Sequence, residues 1–349
     1  MRVRPAALDA YPLVVAPVKE QRAIVAAIDS HFSRLDAATA TLEHVQRNLE
    51  RYRASVLKAA VEGRLVPTEA ELARKEGRSY EPAAVLLKRI LAERRRRWEE
   101  AELAKLKSKG KAPTDDRWKA RYVEPAEPDT AGLPVLPEGW CWATLPMLGE
   151  IDRGRSRHRP RNDPRLLGGT YPFIQTGDVR CADGFIRSFT STYSEFGLAQ
   201  SRLWPAGTLC ITIAANIAET AILGFEACFP DSIVGFVNAE RPVLVRFTEL
   251  FLRTAKAALE RFAPATAQKN INLQTLTEVA VPLPPEAEIR RIVDGVEAEL
   301  ERARRVAHDS MRPALGIARL RQSILKWAFE GRLVNAESCA VPSIAVSQS

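Results

Sequence analysis

The chain has 349 residues, of which 46% are hydrophobic and 27% are charged. This composition excludes a wholly disordered chain and a membrane protein, and the length suffices for about two globular domains. The sequence has no run of about 18 apolar residues and no apolar core of a signal peptide, so we expect a cytoplasmic protein. The net charge of +8 favours a polyanionic partner, either nucleic acid or an anionic membrane surface.

An internal repeat organises the chain. Residues 20–66 recur as residues 288–334 at a constant offset of 268, and sixteen of the 47 aligned positions are identical. The two copies lie too far apart to be neighbouring units of a solenoid. Each copy therefore looks like one part of a duplicated module, and a segment of different sequence is inserted between the two copies.

The first copy has the heptad pattern of a long helix. Apolar residues recur every seven positions, at Ile28, Leu35, Leu42, Leu49 and Val56. A second row lies three or four residues away, which is typical of a coiled coil. Gly63 offers a left-handed stop to the helix. The second copy keeps a rougher version of this pattern, and we predict that the two helices pack antiparallel with Leu35, Leu42 and Leu49 buried.

The region between the copies divides into two parts. The first is charged, with nine Lys or Arg against four Glu between Arg89 and Lys111, and we predict one solvated helix from Pro82 to Lys107 followed by a proline-rich tether. Aromatic, glycine and β-branched residues then increase, and short strands separated by turns are predicted. The predicted segments are a remnant of a preceding domain (1–18), a long helix (19–66), a charged linker (67–136), an α+β domain (137–285), a second long helix (286–335) and a disordered tail (336–349).

Sequence motifs for catalysis and for metal binding are absent. The sequence has no Gly-x-x-x-x-Gly-Lys-Ser/Thr phosphate loop, no Gly-x-Gly-x-x-Gly and no Asn-Pro-Pro-aromatic tetrapeptide, and it has no His-Glu-x-x-His. Its five cysteines form no Cys-x-x-Cys pair, which argues against a zinc ribbon and against a disulfide framework. We therefore predict a non-catalytic chain without a metal site.

An arginine-rich loop in the α+β domain favours DNA as the partner. Residues 152–165 hold six arginines against two aspartates. Arginine can bind phosphate and the O6 and N7 atoms of guanine, and Asn or Gln can pair with adenine. The candidate DNA-binding residues are Arg153, Arg155, Arg157, His158, Arg159, Arg161, Gln175, Thr176, Asn216, Gln268, Lys269, Asn270 and Asn272. A solvated surface loop remains the alternative interpretation of the arginines.

The combination of motifs resembles the specificity subunits of type I restriction–modification systems. The resemblance rests on Pro17-Val-Lys-Glu-Gln-Arg-Ala-Ile-Val25, on Pro284-Pro-Glu-Ala-Glu-Ile-Arg-Arg-Ile-Val293 and on the Glu-Gly-Arg-Leu-Val endings at 62–66 and 330–334. It also rests on Leu136-Pro-Glu-Gly-Trp-Cys-Trp142, on Ile213–Ile222, on Asp231–Phe236 and on Thr266–Leu273. Together these motifs extend over most of residues 12–334.

The resemblance implies a fold and a set of partners. It implies one α+β target-recognition domain flanked by two long helices that form an antiparallel coiled coil, and it implies a DNA-reading, non-catalytic scaffold. It implies docking of methyltransferase subunits that hold S-adenosylmethionine, and association with restriction subunits; ATP and Mg²⁺ are expected on these partners, with no cofactor in this chain. The predicted docking residues are Leu57, Leu65, Leu325, Phe329 and Leu333, and a homodimer through the helices is a further expectation.

The sequence departs from the family pattern before the first helix. About 18 residues precede that helix, where the family has a whole first target-recognition domain. The competing hypotheses are a nonspecific basic coiled-coil nucleic-acid-binding protein and a stand-alone nuclease or methyltransferase. The gapless repeat around a globular domain favours the specificity subunit.

Overall fold

A computed structural model describes residues 15–110, 113, 115–214, 217–261 and 271–334. The chain divides into two compact units, one formed by Met1–Arg53 with Leu300–Ser349 and the other by Ala54–Glu299. The predicted tail and residues 1–14 of the predicted remnant lie outside the described residues. Across the described residues, no helix combines the length and apolar character needed to cross a membrane.

The described residues form helices and short strands in an α+β arrangement. The helices are α1 (Val18–Val61), α2 (Glu69–Glu76), α3 (Ala83–Ser108), α4 (Leu145–Leu148), α5 (Thr176–Cys181), α6 (Glu195–Ala199), α7 (Pro242–Arg261), α8 (Leu273–Thr277) and α9 (Glu286–Phe329), with short 3₁₀ turns at Asp116–Arg121 and Pro164–Leu166. The strands are β1 (Cys141–Thr144), β2 (Glu150–Arg153), β3 (Leu167–Phe173), β4 (Phe185–Ile186), β5 (Ser191–Tyr193), β6 (Leu203–Trp204), β7 (Leu209–Thr212), β8 (Thr220–Leu223), β9 (Ala227–Cys228), β10 (Ile233–Val237) and β11 (Ala280–Leu283).

In the first unit the two long helices pack antiparallel, as predicted. Ile24 and Leu35 of α1 belong to a cluster that also contains Ile324, while Gln46 donates a hydrogen bond to the sulfur of Met311 at 2.7 Å. Arg321 pairs with Asp36 between these two points. The partner residue number falls along α9 as the number rises along α1, which defines the antiparallel direction.

The predicted seam of the coiled coil is half-buried rather than buried. Leu35, Leu42 and Leu49 each retain partial exposure. The prediction of burial was wrong at these three positions, because the packing of two helices leaves part of each leucine in contact with solvent.

Both long helices end in the same way. Gly63 and Gly331 have φ values of +68° and +67°, in the left-handed region that favours glycine. The following amides close the last turn, since Arg64 N donates to Ala59 O at 2.8 Å and Arg332 N donates to Trp327 O at 2.8 Å. This is a Schellman ending, and it confirms the predicted stop at Gly63.

The predicted solvated helix of the linker is packed over its first half. Ala83, Leu86 and Ile90 lie at helical spacing and are buried, so they form an apolar stripe against the domain. Glu93 binds Arg241 through both carboxylate oxygens, and the Arg94 guanidinium donates to the carbonyl of Pro146. The prediction of a wholly solvated helix was therefore wrong.

The second half of α3 carries an aromatic cluster. Trp98 stacks on Trp118 with 6.1 Å between ring centroids and meets Tyr122 edge-on at 5.3 Å. Arg95 lies over the Tyr122 ring and also pairs with Glu124. Part of the predicted tether therefore folds back on the helix.

Three small sheets build the α+β domain. Strands β2, β10, β7, β8 and β4 form a five-stranded sheet in that order, antiparallel except for the β8–β4 pair. A four-stranded sheet has the order β5, β3, β9, β6, with β3 and β9 parallel. Strands β1 and β11 pair antiparallel, so the start of the domain lies beside its end.

The core of the domain is aromatic and aliphatic. Trp204 and Phe229 are fully buried and stack with 4.9 Å between centroids. Cys210 and Cys228 are buried free thiols, and burial raises the pKa of both. The described part of the chain contains no group of three or more His, Cys, Asp or Glu side chains that could hold a metal ion.

In the second unit the start of α9 packs on the segment that follows α1. Glu288 is buried and accepts hydrogen bonds from the Trp140 indole at 2.9 Å and from the backbone N–H of Glu69 at 2.8 Å. A Cβ atom at Gly63 would lie 2.6 Å from Pro137 and 3.1 Å from Trp140. We call this contact region, formed by Gly63, Glu69, Pro137, Trp140 and Glu288, the helix–domain junction.

Candidate nucleic-acid interface

The arginine-rich loop connects β2 with β3 and is anchored at its start. Gly154 N donates to Ile233 O at 2.8 Å, and Arg155 N donates to Phe229 O at 3.1 Å. Gly154 is required here, because a Cβ atom would collide with the carbonyl of Pro230. The arginines therefore leave the five-stranded sheet from a fixed point.

Three aspartates hold part of the arginine-rich loop. One terminal guanidinium nitrogen of Arg161 donates to both carboxylate oxygens of Asp231, at 2.8 and 3.0 Å, while Arg155 lies 3.4 Å from Asp152. Asp163 accepts from Arg165, and this hydrogen bond holds the pKa of the Asp163 carboxyl well below its usual range. The two aspartates of the loop and Asp231 thus fix the loop while leaving a positive excess.

The remaining arginines differ in how far they are held. Arg153 donates to the carbonyl of Asp231. Arg159 folds back on the loop and donates to Ser156 O at 2.6 Å and to His158 O at 2.8 Å. The guanidinium of Arg157 has no hydrogen-bond or ion-pair partner among the described residues, and the side chain is exposed.

His158 stabilises the loop. Its Nε2 atom lies 2.7 Å from the Asp163 carboxylate, and its ring meets Phe196 edge-on with 5.2 Å between centroids. The ring is half-buried. The ring is therefore held within the loop, and its contact with DNA stays a prediction.

Several of the other candidate segments converge on this loop. Ile213 N donates to Ser232 O at 2.9 Å, next to the Asp231 that binds Arg161, and Ile271 N donates to Ile213 O at 3.1 Å. The chain therefore brings the arginine-rich loop, residues 213–214 and residues 271–272 to one edge of the domain. Asn216, Gln268, Lys269 and Asn270 lie outside the described residues.

The remaining polar candidates occupy helix starts. The Asn272 carboxamide oxygen accepts from Thr275 N at 2.7 Å and caps α8. Gln175 and Thr176 begin α5, where Gln175 N donates to Asp178 at 2.8 Å. The backbone N–H of Ile174 donates to the carbonyl of Cys228, and that of Arg155 donates to the next carbonyl, of Phe229. Gln175 and the start of the arginine-rich loop therefore lie at the same end of β9.

The predicted docking residues fall into two groups. Leu57 and Leu333 are buried within the chain, and Leu65 is half-buried, so these three are largely occupied by intramolecular packing. Leu325 and Phe329 are 40% and 74% exposed. The second pair is therefore the part of the predicted set that a partner could reach.

Sequence reasoning missed the residues that support the loop. Gln200 and Ser201 bind its backbone, and Arg202 donates to Asp152 at 3.1 Å. These residues follow α6, far from the loop in sequence. Their tripeptide carries no motif, so no sequence signal could have found them.

Together these features define a nucleic-acid-recognition fold: an α+β domain that presents an arginine-rich loop and is set between the copies of a helical repeat. Residues 137–304 match the family model described as the type I restriction modification DNA specificity domain. Residues 137–304 are therefore similar to this domain, and the resemblance inferred from the sequence to type I restriction–modification specificity subunits is confirmed.

The chain is also similar to individual proteins. The specificity subunit of the type I restriction enzyme EcoKI from Escherichia coli strain K12 is 22% identical over 336 residues, an alignment that covers 95% of this chain and 60% of that protein. A solved structure described as the structural basis of complex assembly and conformational transition of the type I R-M system is 19% identical, with a TM-score of 0.52 over 93% of this chain and 65% of that one. The chain thus spans about three fifths of the curated relative's length.

Proposed function

We propose that this chain is the DNA sequence-recognition and scaffold subunit of a type I restriction–modification complex. Residues 137–285 read one half of a split DNA site, and the chain itself is non-catalytic. The observation that carries the proposal is the anchored arginine-rich loop, on which Arg155 and Arg157 are exposed at the edge where residues 213–214 and 271–272 also lie. Methyltransferase and restriction subunits supply S-adenosylmethionine, ATP and Mg²⁺.

The proposal rests on the difference between contacts to the DNA phosphates, which position a protein, and contacts to base edges, which read the sequence. Guanidinium groups that neutralise phosphates give affinity that falls with salt, whereas contacts to base edges give sequence preference. A loop that is held by its own aspartates and still has exposed arginines can supply both kinds of contact. A nonspecific basic protein would need only the first.

The experiment is selection of a randomised duplex pool by the full chain in complex with the methyltransferase subunit of the same system. A triple variant with Arg155→Ala, Arg157→Ala and Arg159→Ala should lose sequence preference, and its salt dependence should become shallower by about one per lost phosphate contact. The matched control is Arg96→Ala with Arg117→Ala and Arg319→Ala, which removes three exposed arginines outside the loop and leaves the same net charge. Equal binding of all duplexes by the wild type would favour the nonspecific alternative.

Docking of the methyltransferase subunit is proposed for the exposed apolar side chains at the end of α9. Leu325 and Phe329 lie four residues apart on one helical face and are exposed. Leu325→Ala with Phe329→Ala should weaken co-purification with the methyltransferase subunit, whereas Val85→Ala, at an exposed valine on α3, should not. Unchanged co-purification would show that these two side chains are only solvent-exposed helix surface. If the double variant instead loses a concentration-dependent dimer of the chain itself, the two side chains belong to a homodimer interface through the helices.

A further inference from the structure

Two side chains from outside the arginine-rich loop hold its backbone. The Gln200 carboxamide oxygen accepts from the backbone N–H groups of Arg157 at 2.6 Å and of His158 at 3.0 Å. Ser201 Oγ donates to the carbonyl of Arg155 at 2.9 Å. Two consecutive residues thus fix three positions of the loop, although they lie more than 40 residues away in sequence.

The Gln200 side chain is itself held by neighbouring residues, Gly197 and Tyr193. Its Nε2 atom donates to Gly197 O at 3.0 Å. Burial raises the pKa of Tyr193, and the neighbouring side chains of Ser156 and Gln200 oppose this rise. The Tyr193 ring stacks on Phe173 with 4.0 Å between centroids. Gln200 therefore lies beside an aromatic pair of which Tyr193 is buried and Phe173 is half-buried, and its hydrogen bonds give it a defined orientation.

Arg157 combines a fixed backbone with a free side chain. Its amide makes the shorter of the two hydrogen bonds to Gln200, while its guanidinium contacts no other polar group in the part of the chain that the structure describes. Arg155 and Arg161 are paired with aspartates, and Arg159 is bonded to loop carbonyls. A recognition side chain needs such a pre-organised base, because positional error weakens a bidentate contact.

We infer that Gln200 is a positioning residue that presents Arg157 to a base edge of the DNA, and that Arg157 is a specificity-determining residue. This inference rests on the proposed function and deepens it. Gln200 acts on recognition through the backbone at Arg157 and His158, and does not itself contact the DNA.

The first arm of the test needs no DNA. Amide hydrogen exchange of Arg157 and His158 should be slow in the wild type and fast in Gln200→Ala. Gln200→Glu keeps an accepting oxygen and should keep the protection. Gln322→Ala, at an exposed glutamine on α9, is the control and should change neither amide. Unchanged protection in Gln200→Ala would overturn the inference.

The second arm measures base preference with the full chain in its methyltransferase complex, on a randomised duplex pool. Arg157→Ala should lose about tenfold discrimination at one base position, the value of a typical bidentate contact. Gln200→Ala should lose preference at the same position, and the double variant should lose no more than Arg157→Ala alone. A merely structural role would lower affinity for all sequences, and the two effects would then add. Gln200→Glu should keep the base preference, while its added negative charge lowers the affinity for all duplexes. If Gln200→Ala does not fold, Gln200→Glu still tests whether an accepting oxygen at this position is enough for the preference.

Each outcome is decisive. If the wild type shows a sequence preference and both Gln200→Ala and Arg157→Ala keep it, this inference is overturned and the proposed function stands. A shallower salt dependence in Arg157→Ala without loss of preference makes Arg157 a phosphate contact and also overturns it. Absence of any sequence preference in the wild type overturns the proposed function and this inference together.

Discussion

The two copies of the repeat share a sequence pattern and differ in their surroundings. The aligned seam position near the end of each copy is buried in both, as Val56 and Ile324 are 5% and 7% exposed. The flanking position occupied by leucine in both copies is 8% exposed at Leu57 and 40% exposed at Leu325. The seam is thus set by the repeated pattern, whereas burial of the flanks depends on what else packs there.

The polar positions of the repeat differ even more. Glu288 is buried in the helix–domain junction, where it accepts from Trp140 and from Glu69 N, while the matching Glu20 is exposed. Gly63 lies against Pro137 and Trp140, whereas a Cβ atom at Gly331 would have no atom of the described residues within 4 Å. Each copy therefore contributes one end to the helix–domain junction, the second copy its start and the first copy its end, while the other end of each copy remains accessible.

The largest expected effect tests the flanking leucines. Leu57→Asp should lower the free energy of unfolding by about 3–5 kcal/mol, because the carboxylate would enter a buried apolar site without a partner. Leu325→Asp should cost less than about 1 kcal/mol, since its side chain is in contact with water. Denaturant unfolding of both variants measures the difference. Equal costs at the two positions would show that the copies have the same environment.

A smaller effect is expected at the matched glutamates. Glu288→Ala should lower the free energy of unfolding by about 2–4 kcal/mol, because it leaves the Trp140 indole and the Glu69 amide as buried donors without an acceptor. Glu20→Ala should change it by at most about 0.5 kcal/mol at an exposed position. Unfolding followed by tryptophan fluorescence checks both values. A loss below about 1 kcal/mol in Glu288→Ala would contradict the assigned role of the junction.

The smallest effect is a pH dependence at the same position. Burial raises the pKa of Glu288 above its ordinary value of 4.5, so the folded chain binds this proton more tightly than the unfolded chain does. The contribution of this group to stability is therefore fully present below pH 4.5 and is lost as pH rises through the folded pKa, by at most about 1.4 kcal/mol per pH unit.

Unfolding measured at a series of pH values in Glu288→Gln checks this expectation. The variant keeps one of the two accepting oxygens and removes the titration, so its stability starts lower but should decline less than that of the wild type as pH rises above 4.5. Glu20→Gln serves as the matched exposed control. A wild-type decline that persists unchanged in Glu288→Gln would assign the pH dependence to other groups.

The sequence predicted the elements whose cause is local or periodic. The heptads of α1, the stop at Gly63 and the change of composition near Pro137 follow from side-chain periodicity and backbone freedom, and the structure has a long helix, a left-handed glycine and an α+β domain at these places. The arginine-rich loop was also visible, because charge clustering is a property of a contiguous segment. The sequence overestimated the burial of Leu42, since periodicity identifies the inner face of a helix and does not count the layers that cover it.

The tertiary structure decided which of these residues are free and which are held. Asp231 and Gln200 lie 70 and 43 positions from the loop residues that they bind, so the difference between the paired Arg161 and the free Arg157 cannot be inferred from their neighbours in sequence. Likewise, Glu20 and Glu288 occupy equivalent positions of one motif, and only packing against Trp140 and Glu69 separates them. The sequence by itself determined the helices, the domain and the location of positive charge, because these arise from local patterns. Burial, hydrogen-bond partners and side-chain freedom arise from contacts between distant segments, and the fold alone supplied them.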